Sequence, residues 1–107
     1  MSEYSEVVTT VDSAEAAEEL ARSIVEARLG ACVHIVPIRS VYRWEGQVQV
    51  DQEWRCVIKT ATDRVGALTE HIRAHHSYEV PQVTVTPIVD GSPDYLSWVG
   101  EETRPAD

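Results

Sequence analysis

Cys32 and His34 stand two residues apart in the apolar run Ala31-Cys32-Val33-His34-Ile35-Val36. On an extended strand that spacing points both side chains to one face, and a thiolate beside an imidazole suits copper or zinc. Two ligands do not complete a site, so the remainder must come from elsewhere in the chain or from another subunit. The competing reading is a core thiol next to an ordinary histidine. A second pair, His71 and His75, has the four-residue helical spacing that lets two imidazoles share an ion. The residues between them are Ile72, Arg73 and Ala74, so this is not the His-Glu-x-x-His pattern, and Arg73 opposes a cation. A solvated helix face explains it as well, with adventitious metal capture by His75 and His76. Cys32, His34 and His76 are the metal-ligand candidates, for Cu(II) or another divalent cation, and no obligatory cofactor is expected.

Nucleophilic and phosphate chemistry find less support. No Ser-His-Asp or Cys-His arrangement assembles from local spacing. An acylphosphatase-like enzyme would need an arginine-bearing phosphate loop after the first strand, where Thr10-Val11-Asp12-Ser13 places an acid instead.

Several elements must position these groups. Tyr4 to Val11 is rich in Val and Thr on both parities, as in a strand shielded on two sides. Asp12 and Glu15 resemble a capping box, and Ala17, Leu20, Ala21 and Ile24 recur at helical spacing, predicting a helix over about 13–28 with Gly30 at C′. Ala31 to Trp44 reads as a strand, with a bulge or bend at Pro37. Glu45-Gly46 supplies a turn, and Val48 to Ile58 returns as the second arm of a long hairpin, with Asp51-Gln52-Glu53 as a bulge or a break. Thr62 or Asp63 caps a second helix that ends near His75 or His76. Residues 82–89 form the fourth strand, with Pro87 at an edge or a bulge, and Ser92-Pro93-Asp94 opens a short helix. From Gly100 to residue 107 a frayed acidic tail is expected.

The order β-α-β-β-α-β, with a long hairpin between the second and third strands and a short terminal helix, predicts an α+β ferredoxin-like single domain over residues 1–107. The 107 residues, 43% apolar and 25% charged, suit one compact core. Two helices cover one sheet face, so the other needs a partner, and a homo-oligomer is the economical solution. A net charge of -9 disfavours nucleic acid and anionic membranes as partners. No run approaches the roughly 20 apolar residues that span a bilayer, and Met1 to Glu6 lacks signal-peptide character, so a cytoplasmic protein without membrane insertion is expected. Two cysteines do not make a disulfide framework.

Four stretches in this order resemble the CutA divalent-cation-tolerance family. They are Arg28-Leu29-Gly30-Ala31-Cys32-Val33; Ser40-Val41-Tyr42-Arg43-Trp44-Glu45-Gly46; Val57-Ile58-Lys59-Thr60; and Tyr78-Glu79-Val80-Pro81 with Pro87-Ile88 and Tyr95-Leu96-Ser97-Trp98. The resemblance implies a ferredoxin-like fold, a homotrimer with wrapped hairpins, and tolerance of divalent metal ions, copper above all, without enzymatic turnover. Trp44, Lys59, Tyr78 and Glu79 lie in these stretches and can converge on a ligand cleft between subunits, or form a Lys59 to Glu79 ion pair among interface anchors. Two positions depart from the family pattern: Ser77 stands where proline is frequent, and His34 where asparagine is frequent. The alternative is a signalling trimer that binds a small ligand at its clefts and acts through a partner protein of unknown identity, by analogy with the nitrogen-regulatory PII proteins. A purely structural trimer is the remaining reading.

Overall fold

The computed structural model describes residues 2–105. Its elements are β1 (Tyr4–Val11), α1 (Ala14–Glu26), β2 (Cys32–Trp44), β3 (Gln47–Ala61), a single 3-10 turn at Thr62–Arg64, α2 (Val65–His75), β4 (Thr84–Ile88) and α3 (Pro93–Glu102). The strands form one sheet in the order β2-β3-β1-β4, every neighbouring pair antiparallel. This is the expected α+β, ferredoxin-like arrangement.

Helix α1 starts one residue later than the expected capping box. Ser13, extended at φ -149 and ψ 156, accepts a hydrogen bond from the Ala16 amide at 3.0 Å, and Asp12 does not cap. The helix closes by a Schellman motif, with the Arg28 amide donating to the Val25 carbonyl at 3.1 Å and the Leu29 amide to Ile24 at 3.0 Å. The left-handed C′ residue is therefore Arg28, at φ 59, not Gly30. The guanidinium of Arg28 donates to the carbonyls of Arg104 (2.7 Å) and Glu101 (2.8 Å), which holds the chain in this uncommon conformation. Gly30 is needed for space: a Cβ there would stand 2.5 Å from Ile58 Cγ2 and 2.8 Å from Ile24 Cγ2.

The β2-β3 hairpin is unbroken. Its register runs from Cys32 opposite Lys59 to Trp44 opposite Gln47 without an offset, so neither Pro37 nor Asp51-Gln52-Glu53 makes a bulge. β2 is an edge strand, which tolerates proline because one side of its backbone needs no partner. Glu45 (φ 49) and Gly46 (φ 77) both take positive φ, as a two-residue hairpin turn requires. Toward its tip the hairpin carries Val41, Val48 and Val50, which are 67%, 62% and 59% exposed and so stand outside the core.

Alternation along the strands sends Val7, Cys56 and Ile58 to one face, where Leu20 and Ile24 of α1 and Leu68 and Ile72 of α2 bury them. Neither Thr62 nor Asp63 caps α2 with its side chain; the 3-10 turn leads in. Thr62 bonds instead to Ser5 at 2.7 Å. The opposite sheet face is less open than two helices would leave it, because α3 lies there. Gly100 stands against the ring of Tyr4, and Val99 is fully buried. The expected frayed tail is corrected as far as Arg104. Thr103 is fully buried and donates to the Val99 carbonyl at 2.8 Å. Arg104 grips Asp63 with two nitrogens at 2.6 and 2.9 Å, and this fork holds the Asp63 carboxyl below its ordinary range. Residues 106 and 107 lie outside the described part.

Candidate functional site

The sheet face that carries α3 presents two distinct loci. At the first, strand alternation places Cys32 and His34 side by side, with Sγ 3.5 Å from Nε2. Cys32 is half-buried and His34 exposed. Across the ladder from Cys32 stands Lys59, whose ammonium lies 3.6 Å from Glu6. Tyr95 of α3 completes the surroundings; burial first, then Cys32 and Glu6 beside it, raise its phenol above the ordinary value. Among the described residues no group of three or more His, Cys, Asp or Glu is placed to hold a metal ion. The pair is thus two adjacent soft and borderline donors without a third protein ligand among the described residues.

His76 is not brought to that pair. Its Nδ1 accepts from the Tyr78 amide at 3.1 Å, so its Nε2 carries the proton and donates to the Thr10 carbonyl at 2.7 Å. With both ring nitrogens engaged, His76 has no lone pair left for a metal in this conformation. It anchors the loop before β4, at the place where Ser77 leaves the backbone freer than proline would. His71 and His75 stack face to face, centroids 4.1 Å apart. His71 Nε2 meets Ser23 Oγ at 2.8 Å, and His75 Nδ1 donates to the His71 carbonyl at 2.7 Å. Burial, and then the neighbouring His75, hold His71 below the usual imidazole range.

The second locus is a pocket of about 650 Å³ between the hairpin and the loop over residues 76–83, with Trp44, Tyr78 and Glu79 in its wall. Lys59 is absent from it; its partner is Glu6, and no Lys59 to Glu79 ion pair forms among the described residues. In its place stands Glu53, a residue hidden in the polar stretch that had suggested a break. Glu53 is only 9% exposed and accepts the Tyr78 hydroxyl at 2.7 Å. Burial, then this bond, push the Tyr78 phenol well above its ordinary value. Tyr42, also in the wall, donates to Asp51 at 2.5 Å. The unbroken register is the signal that finds Glu53, because it puts positions 53, 55, 57 and 59 on the same face.

The profile of the CutA1 divalent ion tolerance protein matches residues 5–102. The chloroplastic protein CutA of Arabidopsis thaliana is 50% identical over 99 residues, covering 92% of this chain and 54% of that protein. The chain therefore spans about half the length of this plant relative. The divalent-cation tolerance protein CutA of Thermus thermophilus is 45% identical, covering 91% of this chain and 95% of its own length. Its solved structure superposes with a TM-score of 0.91 at 43% identity, over 94% of this chain and 99% of that one. The CutA1 structure from Oryza sativa gives 0.92 at 47% identity, over 96% and 95%. A fold shared at these identities, together with a profile match that runs from β1 through α3, leaves one assignment: the chain belongs to the CutA1 divalent ion tolerance protein family.

Proposed function

We propose that this protein is a non-enzymatic, cytoplasmic homotrimer that contributes to divalent-cation tolerance by binding copper or a similar ion at Cys32 and His34. The observation that carries the reading is the 3.5 Å approach of Sγ to Nε2 on one strand face. A thiolate and a neutral imidazole favour copper over the hard cations, which prefer oxygen. Water or a residue of a neighbouring subunit supplies the remaining ligands. Self-association is supported by the valines exposed along the hairpin, an apolar surface that monomers rarely leave open. Light scattering should accordingly give about three chains per particle at micromolar concentration, whereas a monomer there would refute the assembly.

The metal reading is tested by competitive Cu(II) calorimetry on tag-free protein under nitrogen, with Cys32→Ser and His34→Asn alongside. The expected result is stoichiometric binding that weakens by at least about tenfold, or 1.4 kcal/mol, in each variant. Binding that is weak in the parent, or that survives both changes, makes the copper adventitious.

A further inference from the structure

On the helical side of the sheet, α1 and α2 leave two imidazole lone pairs unused. His71 is half-buried beside α1 and His75 is exposed, and what each ring touches fixes its tautomer. The Ser23 hydroxyl donates to the Leu20 carbonyl at 2.8 Å, so its oxygen accepts from His71, whose Nε2 carries the proton. The His71 carbonyl can only accept, so His75 carries its proton on Nδ1. His71 Nδ1 and His75 Nε2 therefore hold free lone pairs, with no donor against them among the described residues. A ring whose other nitrogen is tied to a fixed oxygen is oriented as metal-bound histidines are.

Distance and field both favour a cation here. The ring centroids lie 4.1 Å apart, and two metal–nitrogen bonds of about 2.0–2.1 Å each span about that distance. Turning the rings, without moving the helix, is enough to bring both lone pairs to one ion. Arg73 does not oppose it, because residues two apart on a helix point to different sides. Ser23 also belongs to a groove on α1 lined by Glu15, Glu18, Glu19 and Glu26, with Arg22 as its one base. That acidic wall concentrates cations beside the rings. Imidazole nitrogen suits zinc, nickel and copper, whereas magnesium and calcium prefer oxygen. No third side chain closes the site among the described residues, so water fills the open positions and the ion can exchange. We propose that His71 and His75 form a two-histidine chelate for an exchangeable zinc ion. It lies across the sheet from Cys32 and His34, and it stands or falls independently of the reading made there.

The probe is Zn(II), titrated by calorimetry into the full chain carrying Cys32→Ser and His34→Asn. In that background the only histidines left are the α2 pair and His76, whose ring nitrogens are both engaged. Zinc is expected to bind at about one ion per chain with a Kd below about 100 μM, while Mg(II) gives no saturable heat. His71→Ala and His75→Ala should each weaken zinc by at least about tenfold, since a chelate needs both rings. Two histidines acting separately, an adventitious ion only, would instead lose about half of the sites with the Kd unchanged. That outcome, or no saturable zinc binding up to about 1 mM, overturns the proposal. His75 is exposed, so His75→Ala keeps the fold and decides alone should His71→Ala fail to fold.

Discussion

Gly30→Ala and Ile58→Ala should each destabilise the protein, yet the double variant should lose less than the sum of the two. The first adds a methyl group where Ile58 Cγ2 would stand 2.5 Å away and Ile24 Cγ2 2.8 Å away. Both isoleucines are fully buried, so neither can swing into solvent, and overpacking of this kind costs about 1–3 kcal/mol. The second empties part of the same space and costs about 2–5 kcal/mol, the range for a buried isoleucine truncated to alanine. Combined, the alanine Cβ at position 30 moves into the volume that Ile58 Cγ2 vacates, and only the contact with Ile24 remains. A favourable coupling of about 1–2 kcal/mol is expected from urea unfolding at one fixed protein concentration, with m unchanged. Additivity within about 0.5 kcal/mol would mean that the α1-β2 connection shifts bodily to admit the methyl group, and that Gly30 is not a close-approach position.

That cycle bears on how much of the molecule was legible beforehand. The Val and Thr residues on both parities of β1 announce a strand covered on two sides, and α3 supplies the second cover. Glu45-Gly46 announces the hairpin, since few residues other than glycine take the second left-handed position. Gly30 misleads for the same reason: glycine is the default at C′, but here Arg28 takes the left-handed turn because its side chain is tied to the carbonyls of Glu101 and Arg104. Such a long-range tether leaves no local trace. The tail is similar, for Thr103 and Arg104 look solvated in a polar run and are recruited by Val99 and Asp63. At the candidate site, Cys32 and His34 could be paired because both lie on one strand. Lys59 was grouped with Trp44, Tyr78 and Glu79 by membership of similar motifs, and within a single chain it stands apart from them beside Glu6. Lys59 and Glu53 face the same way but are six residues apart, about 20 Å at 3.3 Å per residue, so within one chain Glu53 and not Lys59 lines the pocket.

Stability should fall as pH rises above about 9, and the Cys56 thiol should be a principal cause. Cys56 has no exposed surface, faces α1 and α2, and burial pushes its pKa from 9.0 up to about 11. Below pH 9 the thiol is protonated in both folded and unfolded chains and contributes no slope. Between 9 and 11 the unfolded chain releases the proton while the folded chain retains it, so the unfolded state binds fewer protons and stability declines with pH. Two pKa units at about 1.36 kcal/mol each give a loss of at most about 2.7 kcal/mol by pH 11. Tyrosines titrate in the same window, and Tyr78 adds a slope of the same sign because its phenol is also raised. Isolating the thiol therefore requires the difference between Cys32→Ser and the Cys32→Ser, Cys56→Ala double variant, measured by urea unfolding at pH 8 and pH 11. The double variant should lose less stability over that interval, by as much as about 2.7 kcal/mol. Alkylation gives an independent reading: in the Cys32→Ser background Cys56 should react with iodoacetamide only as fast as the core opens, and should be labelled at once in urea. Rapid labelling under native conditions would place the thiol within reach of solvent, and would remove both the raised pKa and the alkaline loss of stability that follows from it.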